Sequence, residues 1–367
     1  MPDQRAARLA ELLIHYSMKV QPGERIAVTG TTQAEPLMLE CMQQILRAGG
    51  HPHIIPALSA SDYVLFSEAS DEQLAYISPF IRTVIEEFQG YLEISSKANS
   101  RQLSGIDPAR QGIRAKAMTP LNKRYMERFN ARELRILFTL YPTAAQAQDA
   151  EMSLIELEDY VYAATFCDTE DPICAWEAIR DEQGKIIDWL KGRKAVTVKG
   201  PEVDLSLSIE GRGFISAHGE LNMPDGEIYT SPVEDSLNGW IRFSYPVITR
   251  GQEIVGIELT FEDGKVIKEK AEKGQALLLQ LLDVDEGARY AGEFAIGTNK
   301  RINRFMRNML FDEKMGDTIH LALGAGFEEV GGKNQSGIHV DLLCAMKDGG
   351  EIYVDDELFY DSGEFMI

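Results

Sequence analysis

RIAVTGTTQAEPLMLECMQQILRAGGHPHIIPA, residues 25–57, reads as strand, helix, strand. Arg25–Thr29 is a short apolar run of the kind that forms a buried strand, Glu35–Arg47 continues as a helix, Gly49 and Gly50 end it, and His53–Ala57 returns as a second strand. The alternation continues outward: Gly90–Ser96 (GYLEISS) and Arg135–Leu140 (RILFTL) are further strands, with helical stretches at 76–88 and 108–129. Strand and helix in alternation predict a parallel, doubly wound α/β sheet. Before it, Leu9, Leu12, Leu13 and Tyr16 give residues 3–18 a helical spacing that Pro22-Gly23 stops. The turn TGTTQAEP after the first strand contains neither GxGxxG nor GxxxxGK[ST], so the phosphate cradle that needs close backbone approach is missing. His51 and His53 flank Pro52 with no acidic cluster beside them in sequence and are read as structural.

Two long helices are expected next, Ala144–Ala164 and Pro172–Lys191, the second opening with Asp171 as cap and proline at the first helical position. At Gly192 the pattern changes character. Val203, Leu205, Leu207 and Ile209 alternate with Asp204, Ser206 and Ser208, a period of two. Short strands continue through Trp240–Ile248 and Glu253–Phe261, with a hairpin turn at Glu262-Asp263-Gly264 and one helix over Gln275–Leu282. The expected organisation is therefore an α/β domain over 1–192 followed by a mainly antiparallel, β-rich domain over 193–367.

Composition narrows the function. The chain has 367 residues, 44% of them hydrophobic, enough for two domains with their own cores. A net charge of -21 argues against nucleic acid and anionic membranes as partners. Cysteines at 41, 167, 174 and 344 form no CxxC and no regular spacing, which suggests core thiols in a reducing compartment. The opening MPDQRAARLAELLIHYSMKV lacks the basic-then-apolar order of a secretory signal, and no apolar run approaches the length of a membrane span. A soluble cytoplasmic protein is the expectation.

Chemistry concentrates late, in FDEKMGDTIHLALGAGFEEVGGKNQSGIHVD, residues 311–341. It holds Glu313, His320, His339 and Asp341, with turns at Gly324, Gly326, Gly331 and Gly332 that let the chain fold back. His339 and Asp341 stand two apart in an apolar strand, so they share a face; His320 shares its face with Ala322 and Gly324, which leave room for an ion. A lone histidine in a strand usually only packs, but two such strands joined by a glycine-rich loop favour a divalent cation of the zinc, cobalt or manganese kind. Upstream, the tight turn at 222–227 delivers Glu227 at the start of the next segment, and Glu293 shares a face with Ala295 and Gly297. No GxSxG is present and no cysteine has a histidine near it in sequence, which weakens serine or cysteine nucleophile chemistry.

PDGEIYTSPVED, GEFAIGTN, LFDEK with TIHLALG, and GGKN ending in HVD appear in the order of the signature segments of the M29 family of thermophilic-type metalloaminopeptidases, which the chain resembles over nearly its whole length. PGERIAVTG followed by a helix and RAGGHPHIIP is similar to that family's amino-terminal domain. The resemblance implies a homodimer with a Rossmann-like domain preceding a β-rich catalytic domain. It also implies an aminopeptidase acting on short peptides through two adjacent divalent ions and a hydroxide they generate. Carried over by motif, the metal ligands are Glu227, Glu293, Glu313, His320, His339 and Asp341, with Glu293 or Glu313 moving the proton from water to the leaving amine. The family pattern has a tyrosine seven residues after the counterpart of His320; here Phe327 stands there, and a phenyl ring neither ligates nor donates a hydrogen bond. Tyr229, beside Glu227, is the nearby hydroxyl that could substitute. The rival expectation is a small-ligand binding module on the α/β domain whose carboxylates hold a structural cation or none.

Overall fold

The computed structural model describes residues 3–249 and 252–367, which fall into two compact units. The first comprises the chain up to Trp176 together with Gly219–Pro224; the second comprises Glu177–His218 and Asp225–Ile367. The division falls inside the helix Pro172–Leu190. Trp176 is fully buried and donates its indole N–H to the Thr165 carbonyl at 3.1 Å in the first unit, whereas Ile186 and Leu190 belong to the core of the second.

The first unit is built on a five-stranded parallel sheet in the order His51–Ala57, Arg25–Thr31, Gly90–Ser95, Arg135–Leu140, Asn222–Met223. Ile26, Ala27 and Val28 are consecutive and all fully buried, the signature of a strand covered on both faces. Helix Glu35–Arg47 buries Leu37, Met38, Cys41, Gln44 and Ile45, a single stripe at helical spacing. It ends where Gly49 turns left-handed (φ +83°) and Gly50 donates back to the Ile45 carbonyl at 2.9 Å. His53 has its ring edge-on to Phe88, centroids 4.6 Å apart, and serves packing as expected.

Two expectations about helices change. Residues 144–164 form two helices, Ala144–Asp149 and Leu154–Ala164, because Glu151 is left-handed (φ +57°) and Ser153 with Glu156 makes a capping box that starts the second. The amino-terminal helix continues over Leu12–Ser17 as a π-helical turn in which every residue but His15 is buried.

Among the described residues, the second unit contains two large antiparallel sheets and a two-stranded antiparallel ribbon. One has eight strands in the order Lys265–Lys270, Glu258–Glu262, Asn238–Arg242, Val203–Ser208, Ala195–Gly200, Glu351–Val354, Glu357–Asp361, Glu364–Phe365. Val203, Leu205 and Leu207 point inward while Asp204 and Ser206 are exposed, as the period-two pattern requires. The hairpin at Asp263-Gly264 has both residues at positive φ, and a side chain on Gly264 would lie 1.8 Å from the Glu234 carbonyl oxygen. The expected strands 240–248 and 253–261 are each broken, at Pro246 and at left-handed Gly256. Their inner parts, Val247–Thr249 and Gln252–Ile254, pair with each other instead.

The other sheet has five strands in the order His339–Ala345, Thr318–Gly324, Ala291–Gly297, Glu227–Thr230, Ile215–Ala217. Phe294, Ile296, Ile319, Leu321, Leu323, Leu342 and Cys344 join Val198, Leu205, Ile241, Leu259 and Phe261 of the larger sheet in one apolar core. Leu321 is fully buried on a central strand, so Leu321→Ala should destabilise this unit by about 2–5 kcal/mol. The measurement is the urea midpoint of the full chain followed by tryptophan fluorescence; an unchanged midpoint would contradict this placement of the core.

Candidate metal centre

Because strand side chains alternate, the residues between those core positions face the other way. Registers across the five-stranded sheet pair Gly324 with His339, Ala322 with Asp341, Ala295 with His320, and Gly297 with Glu227; Glu293 lies opposite Ala322. His339, Asp341, His320, Glu293 and Glu227 thus share one face of four adjacent strands, interleaved with alanine and glycine. An irregularity between Ala291 and Glu293 sets the register at which Glu293 enters this row. Two glycines at positive φ illustrate how tightly this face is built. Gly324 has φ +104° and a Cβ on it would sit 2.1 Å from the Ile338 carbonyl oxygen; Gly226, at φ +122° before Glu227, lies against Asn299.

The convergence is tight. Glu227 Oε2 lies 3.4 Å from His320 Nε2, which lies 3.6 Å from Glu293 Oε1; Glu293 Oε2 lies 3.1 Å from His339 Nε2, which lies 3.4 Å from Asp341 Oδ1. Two donor groups result, Glu227/Glu293/His320 and Glu293/His339/Asp341, and Glu293 gives one oxygen to each. Donors bonded at about 2.0–2.1 Å to one tetrahedral ion stand about 3.3–3.4 Å apart, so these spacings suit a shared cation. Glu227 Oε2 and Asp341 Oδ1 are buried and have no hydrogen-bond partner among the described residues, a costly arrangement that a coordinated ion relieves. His339 Nδ1 pairs with the Ala325 carbonyl at 2.9 Å, which orients the ring and aims Nε2 at the carboxylates.

Each ionisable group in the cluster is shifted by its neighbours. Burial opposes a carboxylate at Glu293, but the imidazoles of His320 and His339, the latter hydrogen-bonded to it, prevail and hold it down to about 2. Burial likewise opposes the imidazolium forms, yet Glu293 and Glu227 lift His320 to about 9, and Asp341 and Glu293 lift His339 to about 11. Glu227 goes the other way: burial raises it to about 8 against the pull of Lys314 and His320.

Glu313 is placed differently from the other five expected residues. It closes the short helix Met309–Asp312 and belongs to neither donor group; its Oε1 is 2.7 Å from the ammonium of Lys314. Burial and the charge of Asp341 raise its pKa against the opposite pull of Lys314. Lys314 also holds Glu227 Oε1 and lies 3.6 Å from Asp225 Oδ1. Neither Lys314 nor Asp225 was singled out from the sequence, although both sit inside signature segments, PDGE and LFDEK; the signal available was a basic residue directly following a proposed ligand. Phe327 packs between Tyr229 and His339, with ring centroids 4.9 and 5.2 Å away. The Tyr229 hydroxyl meets Glu329 at 3.3 Å.

Known proteins match this chain over its length. Aminopeptidase 2 of Geobacillus stearothermophilus is 28% identical, the match covering 94% of this chain and 93% of that protein, and aminopeptidase T of Thermus thermophilus is 26% identical over 93% and 92%. The structure of wild-type AmpT from Thermus thermophilus shares the fold, with a TM-score of 0.87 at 23% identity covering 99% of both chains. The sequence profile of the thermophilic metalloproteases (M29) matches residues 2–365. With the donor groups on one sheet face and that match spanning nearly every residue, the chain belongs to the thermophilic metalloprotease (M29) family and is a metal-dependent peptidase.

Proposed function

We propose that the chain is an aminopeptidase that removes amino-terminal residues from short peptides, and that Glu227, Glu293, His320, His339 and Asp341 hold two divalent ions with Glu293 spanning both. The observation carrying this reading is the split of Glu293, one carboxylate oxygen toward each imidazole. All five lie within 193–367, which is taken as the catalytic domain; the parallel-sheet unit is taken as a Rossmann-like, doubly wound scaffold, although its strand order, second-first-third-fourth-fifth along the chain, is the flavodoxin-like one. The ions are zinc, cobalt or manganese in this reading, since carboxylate and imidazole donors serve all three. When bound, such ions polarise a carbonyl and lower the pKa of water toward roughly 7.

The protein's own residues supply positioning and proton transfer. Both oxygens of Glu293 are committed to imidazoles, so it is a poor carrier of protons. Glu313 is the better choice: it is largely buried, its pKa is raised, and among the described residues its ion pair is with Lys314. The alanines and glycines between the donors leave the substrate's first peptide bond room over the sheet. A homodimer in the cytoplasm belongs to the same reading. Free thiols at Cys41, Cys167, Cys174 and Cys344 accord with a reducing compartment, and no helix among the described residues is long and apolar enough to cross a membrane.

His339→Ala should abolish chelator-sensitive hydrolysis of amino-acid anilides while leaving the circular dichroism spectrum intact; undiminished hydrolysis would remove His339 from the site. Glu313→Gln should keep bound metal but lower kcat by about 10²–10⁴, and a variant that instead loses metal would make Glu313 a ligand. Since His320 and His339 hold protons up to about 9 and 11, metal must displace protons at pH 7, and affinity should fall as pH falls. Calorimetry in buffers of different ionisation enthalpy reads this directly: identical apparent enthalpies in all of them would rule it out.

A further inference from the structure

Among the described residues Lys314 is the one buried ammonium at the centre, and nothing in the proposed chemistry uses it. It is 2% exposed and is held by Glu227 Oε1, by Glu313 Oε1 at 2.7 Å and by Asp225 Oδ1 at 3.6 Å. An ammonium withdrawn from water needs such compensation. The pairing also decides which oxygens remain available. With Oε1 of Glu227 taken, only Oε2 faces His320, and with Glu313 taken, that carboxylate stands outside both donor groups.

The two donor groups have the same composition, one imidazole and two carboxylates with Glu293 in common. Their surroundings differ. The inner group, Glu227/Glu293/His320, is wholly buried and has the ammonium one carboxylate away. The outer group, Glu293/His339/Asp341, is partly open, and among the described residues no lysine or arginine pairs with it. A fixed positive charge raises the energy of a second cation nearby, most of all where water cannot screen it.

We propose that Lys314 is a built-in cation of the metal centre that makes the two ion positions unequal, so that the outer position fills first and tightly and the inner one fills second and weakly. The proposal rests on the reading that both donor groups hold ions. Lys314 is here a positioning residue, acting through Glu227 and Glu313.

The test is titration of the chelator-stripped, full-length protein with zinc chloride, followed by calorimetry and by elemental analysis after desalting. The wild type should retain one ion per chain and bind a second at least tenfold more weakly. His320→Ala should remove the weak step and His339→Ala the tight one. Lys314→Met, neutral and of similar length, should tighten the weak step tenfold or more, while Lys314→Arg should leave it weak. Two equal steps in the wild type, or a weak step untouched by Lys314→Met, would overturn the role of Lys314 and leave the two-ion centre standing. Uptake of no ion would sink the centre and this inference together. If Lys314→Met does not fold, the wild type with the two histidine variants decides: loss of the tight step in His320→Ala overturns the assignment.

Discussion

Alternation of side chains along three neighbouring strands, 291–297, 318–324 and 339–345, is the constraint on which this molecule depends. One parity of each strand carries Phe294, Ile296, Ile319, Leu321, Leu323 and Leu342 into the core of the second unit. The other parity carries Glu293, His320, His339 and Asp341. The apolar parity contributes most of the stabilisation, since each such side chain is worth about 1.5–3 kcal/mol when buried. The polar parity costs stability, because carboxylates and imidazoles are taken out of water. A slip of one residue in either ladder would reverse both and bury the charges in the core. Fold and donor geometry are therefore one decision, made by register.

The same arrangement explains why the centre is so charged and yet buried. Carboxylates this close repel, and burial penalises each of them. The structure answers with imidazoles between the acids and with one ammonium at the inner end. Glu293 is pulled down while Glu227 is pushed up, two carboxylates of the same sheet face set apart by their partners. Opposed shifts of that kind are what a cluster able to take up either protons or a metal ion would show.

Much of this was legible in the chain. RIAVT has the apolar run of a covered strand, and it pairs in parallel with GYLEISS as read. TIHLALG and IHVDLL have the period of two, with small residues beside the histidines, and that is the face they make. Glu227 and Glu293 carried a weaker signal, since a single carboxylate in a strand is ordinary; the order of the segments gave them meaning. Less could be read where long-range contacts decide. Nothing local in LFDEK says that Lys314 reaches back to Glu227 and Asp225, or that it draws Glu313 away from the donor groups. The break at Glu151 and the pairing of Val247–Thr249 with Gln252–Ile254 depart from the hydrophobic period for a different reason: a capping box and a proline interrupt it locally.

The most direct test of the shared carboxylate is anomalous diffraction from crystals of the protein loaded with zinc or manganese. Two anomalous peaks per chain are expected, one with His320 and Glu227, the other with His339 and Asp341, and each within about 2.0–2.2 Å of a different oxygen of Glu293. A single peak, or ions bound where Glu293 touches neither, would contradict it.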